Sequence, residues 1–255
     1  MTSAKQQGPI LRVDGLVKRY RTITAVDGLS LEVGPGEFVG FIGPNGAGKS
    51  TTMRCIAGQL MPDAGTLEVA GASVPADPIA ARGHIGYVPQ ELELYAYLTG
   101  EEFLRFVADV RGVPVDAQNE RIEELLDLCE LGRARHRLVR EYSGGMARKI
   151  AISAALIARP PLLLLDESFV GLDPESTYAL RTWLARYCEE GGAILISSHV
   201  LDMLERICTR VVVVAAGQVQ RDLSRAEMQD QLDATYGTLT ELYLDVTGPF
   251  RRKAS

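Results

Sequence analysis

The sequence is poor in everything that would tie it to a bilayer, a polyanion or an oxidising compartment. Its longest apolar runs, such as Ile152 to Ala158 (with Ser153 inside it) and Val211 to Ala216, fall far short of the roughly 18 residues that cross a membrane. The opening segment, Met1 to Pro9, is polar and lacks the apolar core of a secretion signal. A formal net charge of −6 argues against a large basic face for nucleic acid. The cysteines, Cys55, Cys129, Cys188 and Cys208, form no Cys-x-x-Cys pair and no cluster with histidine. They read as small buried hydrophobes in a reducing compartment. Internal repeats and low-complexity segments are absent. The chain is therefore expected to be cytosolic by itself, so that any work at a membrane would need another polypeptide for the spanning part.

What is present is a globular composition, 46% apolar and 24% charged, at a length of 255 residues that can bury a substantial core. Ile10 to Val13 and Leu29 to Val33 alternate apolar and polar side chains, as half-buried antiparallel strands do. Gly34-Pro35-Gly36 makes a turn, and Glu37 to Ile42 reads as a buried strand. Apolar residues from Met53 to Leu60 fit a following helix; Thr66 to Ala70 and His84 to Val88 read as further strands. From Gly100 to Ala158 the pattern becomes helical. Phe103, Phe106, Val107 and Val110 form one apolar stripe and Ile122, Leu125, Leu126 and Cys129 another, with Gly112-Val113-Pro114 between them. A third helix is expected to start at Ser143, a good N-terminal residue, and to turn Ile150, Ala154 and Ile157 inward. After Pro160-Pro161 strands and helices alternate: Leu162–Leu165, helix Pro174–Glu190, Ala193–Ser197, helix Val200–Cys208, Val211–Val214. The sum is an open α/β fold with a mostly parallel sheet and an inserted helical stretch. The tail from Arg221 is helix-compatible and ends in the basic cluster Arg251-Arg252-Lys253.

Three stretches carry chemistry. Gly43-Pro44-Asn45-Gly46-Ala47-Gly48-Lys49-Ser50-Thr51 follows a strand and opens a helix. Its glycines let backbone N–H groups wrap phosphates, and the helix adds its positive end. Lys49 is expected to reach the β- and γ-phosphates of a nucleoside triphosphate, and the Ser50 hydroxyl to ligate Mg²⁺. The second stretch, Leu162–Leu165, ends in Asp166-Glu167. In this context Asp166 would hold Mg²⁺ through water while Glu167 polarises the attacking water. The third is Tyr142-Ser143-Gly144-Gly145-Met146, whose small residues at a helix start expose N–H donors and a hydroxyl. His199 stands at the end of another core strand, on the side where ligands bind in open parallel sheets. His84 and His136 have no such setting.

Together, from about Ile10 to Gly217, these stretches resemble the ATP-binding subunit of an ABC transporter. The resemblance implies a P-loop NTPase core with an N-terminal antiparallel β part (9–92 and 159–220), a helical subdomain inserted at 93–158, and a tail over 221–255, all in one domain. It implies that Tyr20 stacks on adenine and that Gln90, in Pro89-Gln90, touches Mg²⁺ and the attacking water. His199 becomes a switch histidine at the γ-phosphate, and Gly171-Leu172-Asp173-Pro174 a D-loop. Ser143-Gly144-Gly145 becomes the signature that faces the nucleotide of a second ATP-binding subunit, in a homodimer or heterodimer with ATP at the interface. ATP and Mg²⁺ are the implied ligands. A transmembrane permease subunit is the implied partner, placing the chain peripherally at the cytoplasmic face of the cell membrane. Four positions depart from the family's usual pattern: Tyr142 where Leu is common, Met146 for Gln, Ser168 for Pro and Val170 for Ser.

The leading expectation is an ATP-hydrolysing motor for transport, with the segment Leu239 to Gly248 resembling the ending of bacterial exporters with separate membrane subunits. Two alternatives stay open: a soluble ABC-type ATPase switch without a transporter, and a subunit in which ATP only gates dimerisation with little hydrolysis. One uninterrupted cassette, no heptad arm and no basic face weigh against the first alternative. Val170 and the altered signature feed the second.

Overall fold

Two kinds of strand in the sequence produce two kinds of sheet. The structure is a computed structural model that describes residues 8–251. The opening residues 1–7 and the basic residues Arg252 and Lys253 lie outside the described residues.

Alternating strands build the first sheet. β1 (Leu11–Tyr20) and β2 (Ile23–Val33) form a hairpin with Tyr20 opposite Ile23, so both run longer than the alternation predicts. After β3 (Phe38–Ile42) and α1 (Lys49–Ile56), β4 (Ala64–Val69) and β5 (Ala72–Ser73) complete an antiparallel sheet ordered β2-β1-β4-β5. α1 stops at Ile56 rather than reaching Leu60, because Gly58 turns the chain with φ 67°.

Continuously apolar strands build the second sheet. The short helix α2 (Pro78–Gly83) leads to β6 (Ile85–Val88). Three helices then intervene before the sheet resumes: α3 (Gly100–Val110), α4 (Val115–Leu128) and α5 (Gly144–Leu156). The remainder runs β7 (Leu162–Asp166), α6 (Pro174–Glu189), β8 (Ala193–Ser197), α7 (Leu201–Ile207), β9 (Arg210–Ala215) and β10 (Gln218–Ser224). The order is β10-β9-β3-β8-β7-β6, parallel throughout except for β10. Alternate residues of each central strand feed two cores. Leu163 and Leu165 face the helices of the larger core, while Leu162 and Leu164 join the antiparallel sheet and α1. Each fully buried leucine contributes about 1.5–3 kcal/mol, which is why a four-leucine run reads as a strand buried on both faces.

Two expectations need correction. The inward face of α3 is Phe103, Leu104 and Ala108, whereas Phe106 (40% exposed) and Val110 (70% exposed) point outward. Packing on α4 and α5 selects one of two apolar faces, and periodicity alone could not rank them. Arg221 to Ser224 is strand, not helix. Ala216 and Gly217, with φ 51° and 76°, reverse the chain so that β10 pairs back on β9. Helix begins only after Ser224, whose hydroxyl and Glu227 form a reciprocal cap on α8 (Arg225–Gln231). A π-helical turn (Leu232–Tyr236) and α9 (Leu239–Arg251) follow, and Met228, Leu232, Leu239 and Leu242 are buried in the larger core.

Candidate active site

The end of β3 and the start of α1 place the phosphate loop. Gly48 has φ 99°, and a β-carbon there would run into the Ala25 carbonyl oxygen, so only glycine lets the loop close against β2. Lys49 is buried and folds back on its own loop, its Nζ donating to Gly43 O (2.7 Å) and Pro44 O (3.2 Å). Burial pulls the Lys49 pKa down, while Glu167 and Asp166 work against that fall. An arriving phosphate would take over the donors now spent on those two carbonyls.

The ends of β7 and β8 supply the acidic side. Their register sets Asp166 opposite Ser197. Ser197 Oγ donates to Asp166 Oδ1 at 2.5 Å and accepts from the Glu167 N–H at 3.1 Å. Glu167 has φ 51°, an uncommon conformation for a residue with a side chain. Its carboxylate meets His199: the His199 backbone N–H donates to Oε2 at 3.3 Å, and His199 Nε2 lies 3.2 Å from Oε1. Oε1 is buried and accepts no aligned hydrogen bond, so the His199 ring lies close to it without a formed bond.

One cleft of about 510 Å³ collects most of the residues singled out in the sequence. Asn45 to Thr51, Tyr20, Gln90, Glu167 and His199 line it. Gly43 and Pro44 stand behind Lys49 as its acceptors, and Asp166 lies 2% exposed at the strand end. Ser143, Gly144 and Gly145 do not line this cleft. Ser143 caps α5, its Oγ accepting from Met146 N at 3.3 Å, and with Gly144 it is exposed.

Sequence reasoning missed several groups. Ile23, Thr24 and Ala25 line the cleft beside Tyr20, a consequence of the β1–β2 hairpin that the short predicted strands hid. Arg148, two residues after Met146, donates to Pro89 O (2.8 Å) and Gln90 O (2.9 Å). Burial lowers its pKa against the pull of Asp166 and Glu167. Lys149 joins Glu130 (3.0 Å) and Asp173 (3.6 Å), and Ser176 Oγ bridges the same two carboxylates. The unusual residues also have settings. Tyr142 Oη donates to Ala134 O at 2.9 Å. Ser168 is fully buried with Oγ 3.4 Å from Val88 O, and Val170 is exposed.

The donor set suits a hard cation held partly by a nucleotide. Among the described residues no three His, Cys, Asp or Glu side chains gather to hold a metal by themselves. The Ser50 hydroxyl and the Gln90 amide line the cleft, and Glu167 Oε1 lacks a hydrogen-bond donor. Mg²⁺ favours such oxygen sites, keeping several waters and using phosphate oxygens in place of a protein cage.

Comparison with known proteins agrees with this geometry. The family described as ABC transporter matches residues 26–170. The Nod factor export ATP-binding protein I of Ralstonia nicotianae is 39% identical over 82% of this chain and 65% of its own length. The daunorubicin/doxorubicin resistance ATP-binding protein of Streptomyces peucetius is 38% identical over 87% of this chain and 67% of its own. The chain thus spans about two thirds of the length of these curated relatives. Among solved structures, an ATP-binding subunit of an ABC transporter superposes with a TM-score of 0.88 at 33% identity, covering 93% of this chain and 99% of that one. A dimeric bacterial ABC transporter cassette gives a TM-score of 0.78 at 25% identity over 84% and 98%.

Proposed function

The chain belongs to the ABC transporter family, and we propose that it is the ATP-binding and ATP-hydrolysing motor subunit of an exporter with a separate transmembrane partner. The observation that carries this reading is the single cleft in which the phosphate loop, Gln90, Glu167 and His199 meet. The names of the relatives in nodulation-factor export and drug resistance support the direction of transport.

The residues divide the work. Loop N–H groups and the N-terminus of α1 hold the phosphates. Lys49 leaves the Gly43 and Pro44 carbonyls to neutralise charge on the β- and γ-phosphates. Tyr20 offers a ring to the adenine. Ser50, Gln90 and Asp166 would hold Mg²⁺ directly or through water; when bound, that ion would neutralise phosphate charge. Glu167 takes up hydrogen-bonding to the attacking water, whose oxygen bonds to the γ-phosphorus as the bond to the ADP oxygen breaks. His199, against Glu167, faces the same phosphate.

Ser143, Gly144 and Gly145 stand outside their own chain's cleft, which supports their serving the nucleotide of a second ATP-binding subunit. The exposed apolar side chains Tyr95, Tyr97, Phe106, Val110 and Val115 on and before the inserted helices support a contact with the permease. No described helix is long and apolar enough to cross a membrane, in keeping with a peripheral place at its cytoplasmic face. The second reading, ATP-gated dimerisation with little hydrolysis, draws on Met146 and on the exposed Val170.

Turnover of wild type and Glu167→Gln separates the two. The motor reading expects the substitution to cost about a hundredfold or more in ATP hydrolysis while nucleotide still binds. Equal and negligible rates would replace the motor with the gate.

A further inference from the structure

Asp166 and Glu167 are neighbours in the chain, and successive side chains of a strand point to opposite faces. For both to serve one cleft, the alternation has to break between them. It breaks at Glu167, whose φ of 51° is a left-handed conformation disfavoured for any residue with a β-carbon. The Glu167 N–H is held from one place, donating to both Ser197 O and Ser197 Oγ at 3.1 Å each. The Ser197 hydroxyl then spends its own proton on Asp166 Oδ1 at 2.5 Å.

On the assumption that the ATPase reading above is correct, we propose that Ser197 is a positioning residue for hydrolysis, one hydroxyl that fixes the Asp166 carboxylate and the turned Glu167 backbone together. Ser197 is fully buried at the last paired position of β8, so water does not compete for either bond. A strand interior needs no hydroxyl here, since Ile194, Leu195 and Ile196 fill the same strand with hydrocarbon. A buried hydroxyl is tolerated where its bonds are made, and both partners of this one belong to the candidate machinery. The adjacent Ser198 differs: its Oγ accepts from Val200 N at 3.0 Å, a local turn contact that touches neither carboxylate.

The test uses Ser197→Ala, which deletes the donor, and Ser197→Cys, which keeps a side chain of similar shape but only a weak donor. Both are compared with wild type in kcat and KM for ATP. Each is then placed in the hydrolysis-poor Glu167→Gln background, where binding of a fluorescent ATP analogue is titrated with Mg²⁺. We expect both variants to lose about tenfold in kcat with KM for ATP within about twofold, as for removal of one buried hydrogen bond. The Mg²⁺ concentration for half-maximal binding should rise at least about threefold in both as Asp166 loses its fixed orientation. Ser197→Thr, which restores a hydroxyl, should return both quantities toward wild type. A cysteine variant that behaves as wild type while alanine fails would show that volume, not the hydroxyl, matters, and would overturn the proposal. So would an unchanged kcat, or a loss seen only as a lower unfolding temperature with Mg²⁺ dependence intact. Absence of any wild-type hydrolysis sensitive to Glu167→Gln would instead defeat the ATPase reading, while the Mg²⁺ titration would still report on Ser197.

Discussion

Replacing Gly100 with alanine should destabilise this protein only while Tyr142 remains a tyrosine. Gly100 is the first residue of α3, and a β-carbon there would run into the Tyr142 hydroxyl oxygen, with the ring Cζ at 3.1 Å. The ring would have to swing away from Ala134 O, losing a 2.9 Å hydrogen bond valued at about 1 kcal/mol. Forcing the methyl into the packed seam adds about 1–3 kcal/mol of strain. Against this, alanine is up to about 1 kcal/mol better than glycine in a helix, and less so at its first residue. The net cost of Gly100→Ala is therefore about 2 kcal/mol. Tyr142→Leu, which installs the side chain common in the family, loses the same hydrogen bond and ring contacts at about 2 kcal/mol. Independent effects would sum to about 4 kcal/mol in the double variant. If the two side chains compete for one space, the methyl instead occupies room the ring has left, and the double variant should cost about 2 kcal/mol, a coupling near −2 kcal/mol. Urea unfolding followed by Trp183, the single tryptophan, measures all four proteins. Additivity to within about 0.5 kcal/mol would refute the claim that Tyr142 is seated by the missing β-carbon of Gly100.

Two further outcomes follow from buried titratable groups. All four cysteines are buried, and burial pushes Cys55 up to about 11 and Cys188 up to about 12. A thiol reagent at pH 8 should modify none of them in the native protein and all four after unfolding, counted by mass; rapid native labelling would contradict the packing. Lys49 has its pKa lowered by burial, so in the alkaline window below the ordinary lysine value the unfolded chain holds more protons than the folded one. The Lys49 contribution to stability of the nucleotide-free protein, read as wild type minus Lys49→Met, should consequently rise with pH through that window, against the opposite contribution of the buried thiols, while nucleotide affinity falls as the cation is lost. A difference between wild type and Lys49→Met that stays flat or falls with pH would remove Lys49 as its cause.

The parts of the fold that were legible in the sequence are those where one local signal has one structural meaning. Leu162 to Leu165 is too short for a helix and too apolar for a surface strand, and it became β7 with both faces covered. Ser143 became the cap of α5 because its hydroxyl meets an otherwise unpaired N–H. The failures came where tertiary packing chooses between local solutions. α3 carries two apolar faces, and only contact with α4 and α5 buries Leu104 rather than Phe106. Arg221 to Ser224 has no strong strand character of its own and is strand because β9 lies beside it. The same limit applies to the site. Gly43 to Thr51 is contiguous, so its chemistry could be read in one glance at the chain. Arg148 and Gln90 are brought together by a bond between a helix and a loop far apart in sequence, and nothing local in either announces it.

That distinction also says where the unusual residues act. Tyr142 and Ser168 each replace an apolar side chain common in the family with one carrying a hydroxyl, and in both cases the hydroxyl reaches a carbonyl of a different segment: Ala134 O from Tyr142 and Val88 O from Ser168. The first bond ties the residue before the α5 cap to the turn at Ala134. The second hydroxyl shares its proton between Val88 O at the end of β6, immediately before Pro89 and Gln90, and Asp166 O of its own segment, at 3.4 Å each. Arg148 reaches the same loop from α5, and Lys149 reaches Asp173 from the next position on that helix. One turn of α5 thus holds both the Gln90 loop, through Arg148, and Asp173, through Lys149. The side chains of Met146 and the exposed Val170 lie outside this set of bonds between segments. The departures thus differ in setting: Tyr142 and Ser168 bond to backbone carbonyls, Met146 packs half-buried against the larger core, and Val170 alone is exposed.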